Sequence, residues 1–251
     1  MKASSMKLFF LVFVLIQNFA LDAKTLHAIL IADTIHSDIR NIAAPDLKNI
    51  QEEMRKIAVH TKSKLKEKTF SGSDFSKDKV TSYLENLSFG PTDSVVFYFS
   101  GHGYRTMQKV SPLPNLSFEF YKNGLDMKWV ADTIWNKKPR FALILADCCN
   151  NYAENGFNNE TKNVYINLHK KPEHNKGYDQ LFSKAKGCLV VCSSTAGQYS
   201  YGSHFGGLFT HCFLVSLNKE IAEPTPSWKN LLLRANRYIS HIQKPFCQVY
   251  R

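Results

Sequence analysis

No CxxC, no HExxH and no internal repeat occurs in this 251-residue chain. Their absence removes the common zinc frameworks and the solenoid architectures. Acids are scarce, 21 against 32 lysines and arginines, which gives a formal charge of +11. The lysines are spread over expected helices and one loop, without the interleaved aromatics of a nucleic-acid surface. The basic balance therefore reads as a solvated surface, and no nucleic-acid partner is expected. Also missing is any apolar run of the roughly 20 residues that a membrane-spanning helix needs. The longest run, 8–20, follows Lys2 and Lys7 and precedes Leu21-Asp22-Ala23, a pattern that reads as a secretory signal with a small-residue cleavage site. Residues 1–23 are thus expected to be an export signal, an uncleaved anchor being the alternative, with no stable membrane span after cleavage.

Six cysteines do not make a disulfide scaffold here. Cys148 and Cys149 are adjacent, and Cys188 and Cys192 lie about 13 Å apart on an extended strand, too far to bridge.

What is present is a series of short apolar runs. Residues 26–32 (LHAILIA), 94–100 (SVVFYFS), 141–146 (FALILA) and 187–192 (GCLVVC) read as strands buried on both faces. Residues 65–70 and 116–121 are weaker strand candidates. Helices are expected from Pro45-Asp46 with Leu47, Ile50, Met54 and Ile57 on its inner face, and from Asp74 or Ser76 to Leu87. Others are expected over 126–135, over 208–217, and from the Ser227 cap to 242. Strand and helix alternate, so an α/β fold with right-handed crossovers and a mostly parallel sheet is expected. Residues 152–186 lack periodicity and read as a long surface loop, and 244–251 as a short extended tail.

Polar residues end the buried strands abruptly. Asp33 follows the first, Gly101-His102-Gly103 the second, Asp147-Cys148-Cys149-Asn150-Asn151 the third and Ser193-Ser194 the fourth. Sites in open α/β sheets lie at the carboxyl ends of strands, so His102 and Cys149 are expected to meet there. A thiol beside an imidazole is a competent nucleophile, and the Gly103 and Cys149 amides can face a developing oxyanion. A metal site of His102, Cys148, Cys149 and His204 would need ligand spacings that the chain lacks. No metal and no cofactor are expected.

YFSGHG at 98–103 and LADCC at 145–149 together resemble the caspase-like peptidases, especially the metacaspase and bacterial branch. The resemblance runs from the LHAILIA strand to the QKPFCQVYR tail. It implies a three-layer caspase-like fold, with helices on both faces of the sheet, spanning residues 24–251. A large-subunit-like part (24–155), a linker loop (156–186) and a small-subunit-like part (187–251) would divide it. It implies a cysteine endopeptidase with His102 as general acid/base, Cys149 as nucleophile, and Gly103 and Cys149 amides as oxyanion donors. Cys148 becomes a core-facing spacer.

The resemblance places Asp147 in the primary specificity pocket, selecting substrate arginine or lysine. The competing reading is an aspartate that only caps its turn. Arg40 stands where true caspases carry an arginine that reads an acidic side chain; here it either does so or neutralises Asp147. Ser193 and Ser194 are expected to wall the substrate cleft. Lys162, Lys170, Lys171, Lys176, Lys184 and Lys186 lie where relatives carry a processed linker, so the loop is either self-cleaved or inert. Two departures stand out. Asn150-Asn151 replaces the His-Ser-Gly usual after the metacaspase nucleophile, and residues 104–118 hold no Asp or Glu for calcium. The partner expected is a protein or peptide substrate, with oligomeric state open. The alternative function is a non-catalytic caspase-like module binding a host or envelope protein.

Overall fold

The computed structural model describes residues 24–120, 122–153 and 175–250. The expected signal and most of the lysine-rich linker lie outside them. Along the chain, β1 (Thr25–Ala32) leads to α1 (Arg40–Thr61), β2 (Lys64–Phe70), α2 (Lys77–Asn86) and β3 (Ser94–Ser100). Three short strands follow, β4 (Gly103–Tyr104), β5 (Asn115–Glu119) and β6 (Lys122–Asp126). Next come α3 (Met127–Asn136), β7 (Phe141–Asp147), α4 (Asn175–Tyr178) and β8 (Gly187–Cys192). A two-strand ribbon, β9 (Gly202–Ser203) and β10 (Gly206–Gly207), precedes α5 (Leu208–Glu220), α6 (Trp228–Ile239) and β11 (Phe246–Tyr250).

The main sheet has the order β11-β8-β7-β3-β1-β2, parallel throughout except for β11. Its inner strands β1, β3, β7 and β8 are buried, which is why they read as unbroken apolar runs. Leu26, Ala28, Leu30, Val96, Tyr98 and Leu143 face one core, under α1, α5 and α6. Ile29, Ile31, Phe97, Phe99, Ile144 and Val190 face the other, under α2 and α3. Each fully buried Leu, Ile or Phe contributes about 1.5–3 kcal/mol, so the two cores carry the fold. The edge strand β2 has only Phe70 buried and carries Lys64, Lys66 and Lys68. Charge of this kind keeps an open sheet edge from pairing with another chain.

Three local features differ from the expectation, while the expected extended tail is present as a strand. The first helix begins at Arg40, not at Pro45. The chain turns into it earlier because the Asp33 carboxylate accepts from the Ile35 and His36 amides, at 3.2 and 3.1 Å. Pro45 then sits inside the helix, where it cannot donate to the Asn41 carbonyl and its ring crowds that group. The end of the expected long loop is structured: α4 and the π-turn Asp179–Ser183 bury Tyr178, Leu181 and Phe182. Arg140 holds this segment down, donating to the Phe182 carbonyl at 2.7 Å. The terminal tail is β11, paired antiparallel with β8. Lastly, β6 forms a hairpin with β5 that the polar KNGLD run did not announce. No helix among the described residues is long and apolar enough to cross a membrane.

Register aligns the strand ends. Ala32 pairs with Ser100, Ser100 with Asp147, and Ala146 with Cys192. From β1 the chain goes to β2 on one side and onward to β3 on the other, so the topological switch lies between β1 and β3. The polar segments after β1, β3, β7 and β8 leave the sheet at this edge.

Candidate active site

His102 leaves β3 within a Gly-His-Gly turn and is largely buried, its side chain 8% exposed. Its Nε2 lies 3.0 Å from Asp38 Oδ2, in the turn between β1 and α1. Burial pushes the His102 pKa below its ordinary value, against the opposite pull of Asp38 and Asp33. Beside it, Gly103 pairs with Leu116 while the Ser117 amide donates to the His102 carbonyl at 3.0 Å. Gly103–Leu116 is therefore a non-hydrogen-bonded pair, and the Gly103 amide points away from β5. A Cβ on Gly103 would lie 2.8 Å from Cys148 Cβ and still closer to the Cys149 carbonyl oxygen. Only glycine lets the histidine turn pack on the cysteine turn this tightly.

Cys149 is partly buried. Its sulfur accepts from the Ser200 amide at 3.3 Å, and the Ser200 carbonyl lies 3.7 Å away. Burial pushes its pKa up to about 11, with the Ser200 amide acting the other way. At pH 7 only about one thiol in ten thousand would then be ionised, so this is a resting thiol, not a standing thiolate. Cys148 points into the core beneath β7 at 2% exposure, as a spacer should.

The turn carrying Cys149 is built by its neighbours. Ser193 Oγ accepts from the Cys148 amide at 3.0 Å and donates to the Cys148 carbonyl at 2.9 Å, and Ser194 Oγ donates to that same carbonyl. Both serines are fully buried, so their side chains support the turn from behind rather than face a cleft. Asn150 is fully buried too. Its amide group donates to the Pro112 carbonyl at 2.8 Å and the Ser194 carbonyl at 3.3 Å, and Arg105 donates to its Oδ1. Its main chain bonds Gln198 and Gly197. Asn150 thus ties three loops together.

Asp147 lies beneath the turn, 6% exposed. Its Oδ2 accepts from the Thr210 amide and hydroxyl, both at 2.8 Å, and its Oδ1 from Ser200 Oγ at 2.8 Å. With the Thr210 proton committed to Asp147, the Tyr98 hydroxyl donates to Thr210 at 2.7 Å. A second carboxylate, Asp46 of α1, accepts from Ser100 Oγ at 2.7 Å and from the Gly207 amide at 2.8 Å. Burial, and then the charge of Asp147, push the Asp46 pKa well above the carboxylate range; burial raises Asp147 as well. Among the described residues neither acid forms an ion pair with a cation. Arg40, exposed at the first position of α1, is absent from the partners of Asp147. His204 is exposed and stacks on Phe205, and the described residues contain no cluster of three His, Cys, Asp or Glu suited to a metal.

Three of these participants were not anticipated. Asp46 carried a usable signal, since it shares a helical face with Ile50, Met54 and Ile57 and so had to be buried. Asp38 and Ser200 carried none, being polar residues in polar loops.

A mostly parallel sheet between two helical layers, with this histidine and cysteine at adjacent strand ends, defines a caspase-like fold. The chain belongs to the caspase-domain family, which it matches over residues 25–250. Among solved structures it is similar to the crystal structure of protein GSU0716 from Geobacter sulfurreducens, at 15% identity and a TM-score of 0.53. That match covers 90% of this chain and 92% of the other, and at such identity it speaks for the fold alone. No curated protein matches the chain.

Proposed function

We propose that the protein is a cysteine endopeptidase that cuts after arginine or lysine. The observation that carries the specificity is the buried pair Asp46 of α1 and Asp147 at the end of β7, two neighbouring carboxylates with no cation paired to either among the described residues. Two acids held in a low-dielectric site repel each other when ionised, and a guanidinium or ammonium, a cation with several donors, relieves that repulsion for both. An acidic or apolar side chain would leave that charge unrelieved.

In the chemistry this supports, the Cys149 sulfur attacks the scissile carbonyl carbon while its proton passes to His102. The oxyanion is held by the Gly103 and Cys149 amides. His102 then gives the proton to the leaving amine, and the C–N bond breaks. Water, losing its proton to His102, attacks the thioester and releases the acid and the free thiol. Because the resting thiol is protonated and bonded to Ser200, the substrate must displace the Ser200 segment before attack.

The same basic specificity would act on the lysine-rich linker, so self-processing there is part of the reading. Lys162, Lys170 and Lys171 lie outside the described residues; Lys184 is described, paired with Asp179 at 3.2 Å. Export through residues 1–23 is likewise proposed, its basis being the sequence pattern alone. The buried, high-pKa thiol is the one observation that favours the other reading, a module that binds without cutting. A thiol-reactive peptidyl-arginine probe decides between them. Labelling at Cys149 that is lost in His102→Ala, together with peptidyl-arginine hydrolysis lost in Cys149→Ala, supports the peptidase. No labelling and no hydrolysis by the wild type overturns it.

A further inference from the structure

The histidine turn has a partner from an element that carries no other part of the proposed chemistry. Asp38 sits in the turn after β1, 64 residues before His102 in sequence, and its Oδ2 reaches His102 Nε2 at 3.0 Å. The two residues straddle the switch between β1 and β3, where α/β sheets open a crevice. The Asp38 side chain is 27% exposed, whereas that of His102 is 8% exposed, so the carboxylate lies toward solvent and the ring toward the interior. The turn that presents Asp38 is itself pinned. Asp33 takes the Ile35 and His36 amides and the His36 ring, and the Arg40 amide bonds the His36 carbonyl at 2.9 Å. The Phe120 ring packs on both His36 and His102, closing that side.

We infer that Asp38 is the positioning residue of this site, fixing the tautomer and orientation of His102 so that Nδ1 exchanges protons with Cys149 and the leaving amine. This rests on the peptidase reading above. A carboxylate accepts but does not donate, so the ring proton sits on Nε2 and the lone pair on Nδ1. Without that bond a buried imidazole can adopt the other tautomer, with its proton where the thiol proton must arrive. When His102 takes the thiol proton the ring becomes a cation, and the adjacent carboxylate stabilises it at the moment of attack. The charged and titratable groups acting on the ring are Asp38 and Asp33, which favour its charged form, and His36, which opposes it. Removing Asp38 therefore leaves burial less opposed and moves the His102 titration to lower pH.

The test uses the full chain with 15N-labelled histidine, as wild type, Asp38→Asn, Asp38→Ala and Asp38→Glu, with His102 assigned through His102→Gln. Nitrogen shifts from pH 5 to 9 should show the Nε2–H tautomer in the wild type. In the Asn and Ala variants the Nδ1–H form should appear, with a lower titration midpoint. On a peptidyl-arginine substrate, kcat should fall about 10- to 100-fold with KM within about twofold. The acid limb of the rate profile should follow the NMR midpoint, and Asp38→Glu should recover part of kcat. An unchanged tautomer and midpoint overturns the role, whether or not kcat falls, because a merely structural residue would alter stability alone. If the wild type cleaves nothing, the peptidase reading fails while the histidine spectra still decide what Asp38 does.

Discussion

Asp46 and Asp147 face one another across Gly207. A Cβ on that glycine would lie 2.7 Å from Asp147 Cγ and 3.0 Å from Asp46 Oδ2, so the close approach of the two acids depends on a residue without a side chain. Gly207→Ala is accordingly expected to abolish cleavage after arginine while the chain still folds, measured by peptide hydrolysis beside circular dichroism. Retention of more than about a tenth of the activity would contradict the pocket.

The two acids set a pH dependence whose sign can be stated. Both are raised by burial, Asp46 further by Asp147, so the pair holds protons above the ordinary carboxylate range. A basic side chain binds the ionised form and expels a proton. KM for peptidyl-arginine substrates should therefore fall as pH rises through the raised carboxylate titrations, until both acids are ionised. In the folded protein a raised carboxylate adds stability that is complete below the unfolded value of 3.8 and lost as pH rises through the folded one. Asp46→Asn should thus be more heat-stable than wild type at pH 8, with the advantage shrinking on acidification, and a poorer enzyme by about 10- to 100-fold. Melting curves at several pH values check the first half; a variant less stable than wild type throughout would refute it.

Alkylation of Cys149 should be slow at neutral pH. With its pKa pushed up to about 11, the thiolate fraction grows about tenfold per pH unit, so iodoacetamide should label it about 100-fold faster at pH 9 than at pH 7. Mass spectrometry of the labelled peptides separates it from Cys188, Cys192 and Cys212, which burial holds at about 12. A rate that is flat above pH 7 would mean a standing thiolate.

Asn150→Ala removes the donor for the Pro112 and Ser194 carbonyls at a fully buried position. Leaving the buried Ser194 carbonyl unpaired, and the less buried Pro112 carbonyl with it, should cost about 1–3 kcal/mol in urea unfolding. Activity should fall more than stability alone explains, because the same bonds hold the Cys149 turn. A cost under about 0.5 kcal/mol would show that water replaces the amide.

The four strand runs were readable because a strand buried on both faces has to be apolar along its whole length, and the site follows from where such strands end. That logic located His102, Gly103, Asp147 and Cys149 at one edge of the sheet, and the family match agrees with the fold it implied. It could not find Asp38, whose tie to His102 joins two polar turns 64 residues apart. Nor could it show that Asn150 braces the Cys149 turn by side-chain hydrogen bonds to the Pro112 and Ser194 carbonyls. Ser193 and Ser194 are expected from the resemblance to wall the cleft, but the sequence does not show that their side chains are buried and bonded to Cys148. Polar loop residues follow no period, so their direction is set by partners the sequence does not place beside them.

The neighbours β7 and β8 belong to the stretches before and after the 154–174 segment, and they pair along six residues from Phe141↔Gly187 to Ala146↔Cys192. Trp228 adds a bond to the Leu181 carbonyl at 2.8 Å, and Arg140 one to Phe182. A break in the chain between Ala153 and Asn175 would therefore separate no part of the sheet. The two pieces would migrate apart on a denaturing gel and elute together in native buffer, as a single particle whose covalent continuity has become irrelevant to its shape.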